Sequence, residues 1–159
     1  MTDAATTRPP RSYWIIAGIA LAWMLVGVAA WVADLMMSEA TLAGMTEGQQ
    51  QLYAARPDWL FAVYGVAVFA GLAGAVGLLA RKSWAVPALA TSLAAVIIQF
   101  GYTLFVMDAV GHVGAAAAIP FPVAIVVIAA AVLWYARQAA HRGWLGQPTH
   151  TVSEVTPTT

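Results

Sequence analysis

The sequence predicts an all-α membrane protein, with four transmembrane helices in one bundle and both termini on the cytoplasmic side. Of the 159 residues, 62% are hydrophobic and 9% are charged, whereas soluble domains carry roughly 25% charged residues. The apolar residues form four runs of about 20 residues or more, enough α-helix to cross a hydrocarbon core of about 30 Å. The basic residues gather on one side of these runs, which sets the orientation.

The four runs form one predicted transmembrane domain, residues 12–142. Its spans lie at about 13–37, 59–80, 84–107 and 113–136. Residues 1–11 form a polar cytoplasmic tail, and residues 143–159, which end in TVSEVTPTT, form a second tail that we expect to be disordered. We expect the first run to remain as a span, because it is longer than the roughly 7–15 apolar residues of a cleaved signal peptide.

The orientation follows from the basic residues. One side of the predicted bundle carries Arg8, Arg11, Arg81, Lys82, Arg137 and Arg142. The other side carries a single basic residue, Arg56, together with the acidic residues Asp34, Glu39, Glu47, Asp58 and Asp108. Since cytoplasmic loops are enriched in Lys and Arg, both termini are predicted to be cytoplasmic.

The loop at residues 38–58 is the largest predicted element outside the membrane. Thr46 followed three residues later by Gln49 is typical of a capping box, and Pro57 would stop a helix at Arg56. We therefore predict a short helix over about residues 47–55, lying along the outer surface. It would serve either as a lid or docking site, or as a connector that shields helix ends.

The second run contains a face of small residues. Gly71, Gly74 and Gly77 recur at three-residue spacing, which removes side-chain bulk and lets another helix approach closely. This predicted helix-packing interface would lie either inside the four-helix bundle or between copies of the chain. The spacing alone fits both arrangements.

The third run carries the polar residues Ser92, Gln99, Tyr102 and Thr103, which share one broad face of a regular helix. Lipid cannot satisfy the amide of Gln99, so this face should point into protein or a cavity. It would be either a solute-binding stripe or a set of hydrogen bonds between helices.

Two further features lie near the outer side. Asp108 and His112, four residues apart, would share a face if the helix continued, as an outer gate or pH-sensitive pair. The alternative is a helix end in the headgroup region. In the fourth run, Pro120 and Pro122 would kink the helix or mark its start, and a re-entrant element is the other interpretation.

Several function classes find no support in the residues. No ionisable residue lies at the centre of a run, although ion-coupled transporters usually bury one near the midplane. There is no cysteine, and no nucleophile has a base in reach. We therefore predict a chain that is not an enzyme, with no catalytic, cofactor-binding or metal-binding residues. A net charge of zero gives no reason to expect binding to nucleic acid.

Three stretches resemble a group of small four-span bacterial membrane proteins, some of which carry an automatic "sugar transporter" label. These stretches are QLYAARPDW (51–59), AVFAGLAGAVGLLARKSWAVP (67–87) and SLAAVIIQFGYTLF (92–105), and WYARQAAHRGWL (134–145) fits the C-terminal end of the group. The resemblance implies a multi-pass protein of the bacterial inner membrane. It transfers no functional residues to this sequence.

Together these observations predict a non-enzymatic membrane protein, an accessory or scaffold subunit that packs against itself or a larger membrane complex. Its expected partners are the lipid bilayer and either further copies of the chain or that complex. The competing prediction is a facilitative carrier or channel for a small neutral solute, which would use Ser92, Gln99 and Tyr102.

Overall fold

The computed structural model describes residues 9–146 of the protein. These residues contain four helices long and apolar enough to cross a membrane, Arg11–Leu35, Asp58–Leu79, Ala85–Val106 and Ala115–His141. They contain no β-strand, and a single isolated bridge joins Lys82 to Gly146. The chain is therefore an all-α, multi-pass membrane protein, as the apolar run lengths predict. Residues 1–8 and 147–159 lie outside the described residues, so the two predicted tails stay predictions there.

The helices follow one another along the chain with short connections. They are α1 (Arg11–Leu35), α2 (Glu39–Ala43), α3 (Glu47–Ala55), α4 (Asp58–Leu79), α5 (Ala85–Gly101), α6 (Ala109–Val113), α7 (Ala115–Ala118) and α8 (Pro120–His141). A π-helical turn, Tyr102–Val106, extends α5, and the Met107 N–H donates to the Tyr102 carbonyl at 3.0 Å. The fourth span, Ala115–His141, consists of α7 and α8, which meet at Ile119.

Prolines fix the starts of three long helices. Pro10 and Pro57 precede α1 and α4 with extended backbone. Proline disfavours the helical conformation in the residue before it, so a helix starts cleanly after such a position. Pro120 occupies the first turn of α8, where its missing N–H costs no hydrogen bond. The helix of the fourth span is interrupted at Ile119, whose backbone stays in the right-handed helical region, and α8 begins at Pro120.

The four spans pack as consecutive neighbours: α1 lies against α4, α4 against α5, and α5 against α8. We call the end where α1 begins and α8 ends the terminus end, and the opposite end, with α2, α3, α6 and α7, the loop end. The main buried cluster lies at the terminus end and comprises Tyr13, Ala17, Leu78, Ala85, Leu89, Leu133, Ala136, Ala139, Trp144 and Leu145.

The terminus end is held by hydrogen bonds as well as by packing. The buried Tyr13 hydroxyl donates to the Leu78 carbonyl. The Arg81 Nε donates to the Trp144 carbonyl at 2.8 Å, and the Gly146 N–H donates to the Arg81 carbonyl at 2.7 Å. The helix of the fourth span continues past residue 136 to His141. Residues 143–146 lie within the predicted C-terminal tail, and among them Trp144 and Leu145 are buried against the bundle.

The loop end is covered by short helices. The α3 helix spans the predicted residues and has the predicted capping box, in which the Gln49 N–H donates to the Thr46 hydroxyl. It packs against α6, and the approach is so close that a methyl group on Gly48 would overlap the His112 carbonyl. The α2 helix was not predicted.

Candidate functional site

A cavity of about 530 Å³ lies between the four spans. Most of its lining is apolar, and each span contributes, for example through Met24, Val68, Val96 and Ile125. Five polar residues also line it: Asp34, Arg56, Tyr64, Ser92 and Gln99. Two of these five, Ser92 and Gln99, belong to the stripe predicted from the sequence.

The cavity exists because α1 and α8 meet closely only at the terminus end. There the Tyr13 ring lies 6.2 Å from the Tyr135 ring and 5.8 Å from the Trp144 ring, centre to centre. Further along the bundle, small residues such as Gly27 and Ala129 line the space and leave it unfilled. A gap therefore runs between α1 and α8 in the loop-end half of the bundle.

The floor of the cavity is a tight contact among three helices. The Ser92 hydroxyl of α5 donates to the Ala67 carbonyl of α4 at 2.6 Å and is buried. A Cβ on Gly71 would lie 2.6 Å from the Met24 Sδ and 2.8 Å from the Ser92 Oγ. Since Ser92 uses its proton to join two helices, it contributes mainly to the structure of the floor.

Gln99 lines the wall of the cavity from α5, one turn beyond Val96. Its amide oxygen is buried and has no hydrogen-bond partner within the described residues. A buried acceptor without a partner costs about 1–3 kcal/mol. A molecule in the cavity that carries an O–H or N–H group would remove this cost by donating to Gln99.

An ion pair lies at the loop end of the cavity. The Arg56 Nη1 and Asp34 Oδ2 atoms are 2.6 Å apart, and their side chains are 23% and 14% exposed. The Arg56 guanidinium also lies 4.7 Å from the centre of the Tyr53 ring and 5.2 Å from that of Phe61. In the sequence both charged residues indicate orientation only, and their pairing was not predicted. Arg56 directly follows α3, which packs at the loop end.

Tyr102 and Thr103 do not line the cavity. The Tyr102 ring packs edge-on against Trp59, with ring centres 4.8 Å apart. The Thr103 hydroxyl donates to the Gln99 backbone carbonyl at 2.9 Å, a bond within its own helix. The predicted four-residue stripe is therefore divided: Ser92 and Gln99 line the cavity, whereas Tyr102 and Thr103 lie beyond Phe100, the last α5 residue that lines it.

Asp108 and His112 do not share the face of a continuing helix. Asp108 adopts a left-handed conformation, with φ 47°, and its carboxylate accepts from the Gly111 N–H at 3.1 Å to cap α6. The His112 Nδ1 lies 2.9 Å from the Asp108 backbone carbonyl, not from the carboxylate. Both side chains are exposed. The geometry matches a helix start at the surface and places neither residue in the cavity.

The glycine face of α4 is used within the chain. A Cβ on Gly74 would lie 2.5 Å from the Leu89 Cγ, and one on Gly77 would lie 3.0 Å from the Ala85 Cβ. Together with Gly71, these glycines let α4 and α5 pack backbone to backbone. This face is consequently not available to a second copy of the chain.

The fold and cavity define a four-span integral membrane protein with a largely apolar chamber between its helices. Among residues 9–146, no three His, Asp or Glu side chains are placed to hold a metal ion. Comparison of the chain with protein-family models, curated proteins and solved structures finds no significant match. What the cavity can bind therefore follows from its own geometry and chemistry.

Proposed function

We propose that this membrane protein binds a small neutral molecule in the cavity between its spans and acts as a facilitative carrier for it. The observation that carries the proposal is the buried, unpartnered amide oxygen of Gln99 beside a chamber of about 530 Å³. Ligand cavities typically measure about 300–1,000 Å³ and combine an apolar lining with a few polar groups. This cavity has that size and composition.

The charges around the cavity favour a neutral ligand. Among residues 9–146, Asp34 and Arg56 are the lining residues with ionised side chains, and their opposite charges lie 2.6 Å apart. A charged ligand would have to displace one partner and leave the other uncompensated, which is costly in a partly buried site. A neutral molecule leaves the ion pair intact.

The loop end of the cavity has a contact whose separation would open it. The ion pair there joins Asp34 of α1 to Arg56, just before α4. Alternating access of a carrier also needs a separable contact on the other side of the site. Beyond the cavity lining, in the packed half, the hydrogen bond from Tyr13 to the Leu78 carbonyl joins α1 to α4.

The accessory or scaffold role predicted from the sequence relied on the glycine-lined faces. Because Gly71, Gly74 and Gly77 pack against neighbouring helices of the same chain, that role would need a different surface. Assembly into a homo-oligomer or larger complex stays a prediction. The proposed location is the inner membrane of a bacterium, as the sequence resemblance implies. Both termini would be cytoplasmic, consistent with Arg11, Arg81, Lys82, Arg137 and Arg142 at the terminus end.

Native mass spectrometry of the protein, purified from its own membrane in mild detergent, tests the proposal. We expect a non-covalently bound molecule on the unmodified protein, with occupancy lowered about tenfold in Gln99→Leu, because one hydrogen bond is lost. Gln138→Leu is the matched control, because it replaces the same amide by the same side chain at a position of α8 that does not line the cavity.

Two results would contradict the proposal: no bound molecule on the unmodified protein, or equal occupancy in Gln99→Leu and Gln138→Leu. A detergent-unfolding curve for each variant separates loss of ligand from loss of fold. A molecule identified by its mass is then tested for uptake into proteoliposomes, and uptake that is unchanged in Gln99→Leu would argue against carriage through this cavity.

A further inference from the structure

The polar groups around the cavity are few, and most are already bonded. The Ser92 hydroxyl donates to Ala67, and Asp34 is paired with Arg56. This leaves the Gln99 amide, the Tyr64 hydroxyl and the Trp23 indole N–H as the lining polar groups without a hydrogen bond to another described residue. The remaining lining residues are apolar or glycine. The cavity can therefore satisfy one polar end of a ligand and little more.

A sugar does not fit this chemistry. Each hydroxyl moved out of water without a partner costs about 1–3 kcal/mol, and a sugar has several hydroxyls on every side. An apolar body instead gains about 25 cal/mol for each Å² removed from water. The lining thus discriminates against polyols and favours a molecule that is mostly hydrocarbon.

The side of the cavity faces lipid. Val26 on α1 and Phe121 on α8 line the cavity, yet they are 63% and 66% exposed. Ala30 on α1 is also both lining and exposed. These residues belong to membrane-spanning helices, so the gap between α1 and α8 adjoins the hydrocarbon of the bilayer rather than water.

We infer that the ligand is a neutral lipophilic molecule with an apolar body and one polar end that donates a hydrogen bond to Gln99. It enters from the lipid phase, through the gap between α1 and α8. The inference rests on the proposed function and specifies its substrate class. The donor is an O–H or N–H group, and the apolar body lies among Met24, Val68 and Ile125.

Photolabelling tests the inference in proteoliposomes of phosphatidylcholine. The probe is a long-chain alcohol that carries a diazirine, and labelled residues are mapped by peptide mass spectrometry. We expect labelling of the cavity-lining segments of α1 and α5. Unlabelled oleyl alcohol should reduce this labelling at least fivefold, whereas glucose at the same concentration should not. Gln99→Leu should weaken the labelling severalfold, whereas the control Gln138→Leu should leave it unchanged.

Entry from lipid is tested by narrowing the gap. Ala30→Phe places a ring at the lining, exposed position of α1 and should slow cavity labelling severalfold. Ala29→Phe adds the same ring at an exposed neighbour that does not line the cavity, so its labelling rate should match that of the unmodified protein. Equal rates in the two variants would overturn entry through this gap.

The outcomes separate the inference from the proposed function. Competition by glucose but not by oleyl alcohol would overturn the inference and leave the proposed function standing. Labelling confined to lipid-facing residues in every variant, with a bound molecule still seen by native mass spectrometry, would likewise overturn the inference alone. Labelling confined to lipid-facing residues, with no bound molecule seen by native mass spectrometry, would overturn both the inference and the proposed function.

Discussion

The two halves of the bundle are built from the same four helices but packed differently. In the terminus-end half, Tyr13, Ala17, Ala136 and Ala139 are all 0% exposed. The loop-end half contains the cavity and the two buried side-chain polar atoms without partners among the described residues, on Trp31 and Gln99. The terminus-end half is therefore the more closely packed, and we expect the loop-end half to adapt to a ligand.

The difference arises from the size of the facing side chains. At the terminus end a large aromatic side chain, Tyr13, fills the space between α1 and the alanines of α8. At the loop end Gly27 and Ala30 of α1 are small, the Trp31 ring of α1 stacks on Phe61 of α4, and Phe121 of α8 lies 66% exposed rather than filling the cavity. The loop end is instead held at its rim by the ion pair between Asp34 and Arg56.

The largest expected effect comes from Tyr13→Ala. Removing this fully buried ring should lower the free energy of unfolding by about 3–5 kcal/mol, because it leaves a void at the centre of the packed half. Phe121→Ala, in the open half, should cost less than about 1 kcal/mol, since its ring is largely exposed. Unfolding by sodium dodecyl sulfate in mixed micelles measures both, and equal losses would mean that the two halves do not differ.

A smaller effect is expected from Gly74→Ala. Its Cβ would lie 2.5 Å from the Leu89 Cγ and 3.1 Å from the Leu89 backbone nitrogen, so α4 and α5 must move apart. Such overpacking costs about 1–3 kcal/mol. The control is Gly18→Ala, because a Cβ on Gly18 meets nothing within 4 Å. The same unfolding assay should show no loss for Gly18→Ala, and a loss equal to that of Gly74→Ala would refute close α4–α5 packing.

The smallest effect is expected from Ser92→Ala. It removes the hydrogen bond to the Ala67 carbonyl, and such bonds between transmembrane helices contribute about 0.6 kcal/mol on average. Thr91→Ala is the matched control, since the Thr91 hydroxyl bonds to Pro87 within its own helix. The Ser92→Ala variant should still bind the molecule seen on the unmodified protein. If Ser92→Ala loses that molecule, as Gln99→Leu is expected to, then Ser92 binds the ligand and is not only part of the cavity floor.

The sequence predicts the elements of this fold well, because each depends on local information. Span lengths follow from apolar runs, and α3 follows from the cap formed by Thr46 and Gln49. The cavity depends instead on which helices are neighbours. Nothing in the four apolar runs states that α1 and α8 stay apart in one half of the bundle.

Two features of the site were not predictable from helical spacing: the ion pair and the end of the cavity along α5. Asp34 and Arg56 are 22 residues apart, so no helical spacing connects them. Tyr102 and Thr103 share the helical face of Gln99 but lie beyond the end of the cavity, and helical spacing does not show where a cavity ends. Gln99 lines the cavity, and the sequence predicts a position facing protein or a cavity because lipid offers an amide no partner.

The π-helical turn also bears on how this protein can change in evolution. Such a turn closes its hydrogen bond over five residues instead of four, so Tyr102–Val106 accommodates one residue more than a regular turn. A deletion there would restore the regular helix and leave Ser92 and Gln99 in place. An insertion between Ser92 and Gln99 would instead rotate Gln99 by about 100°, out of the cavity. Length variation among descendants of this gene should therefore accumulate after Gly101.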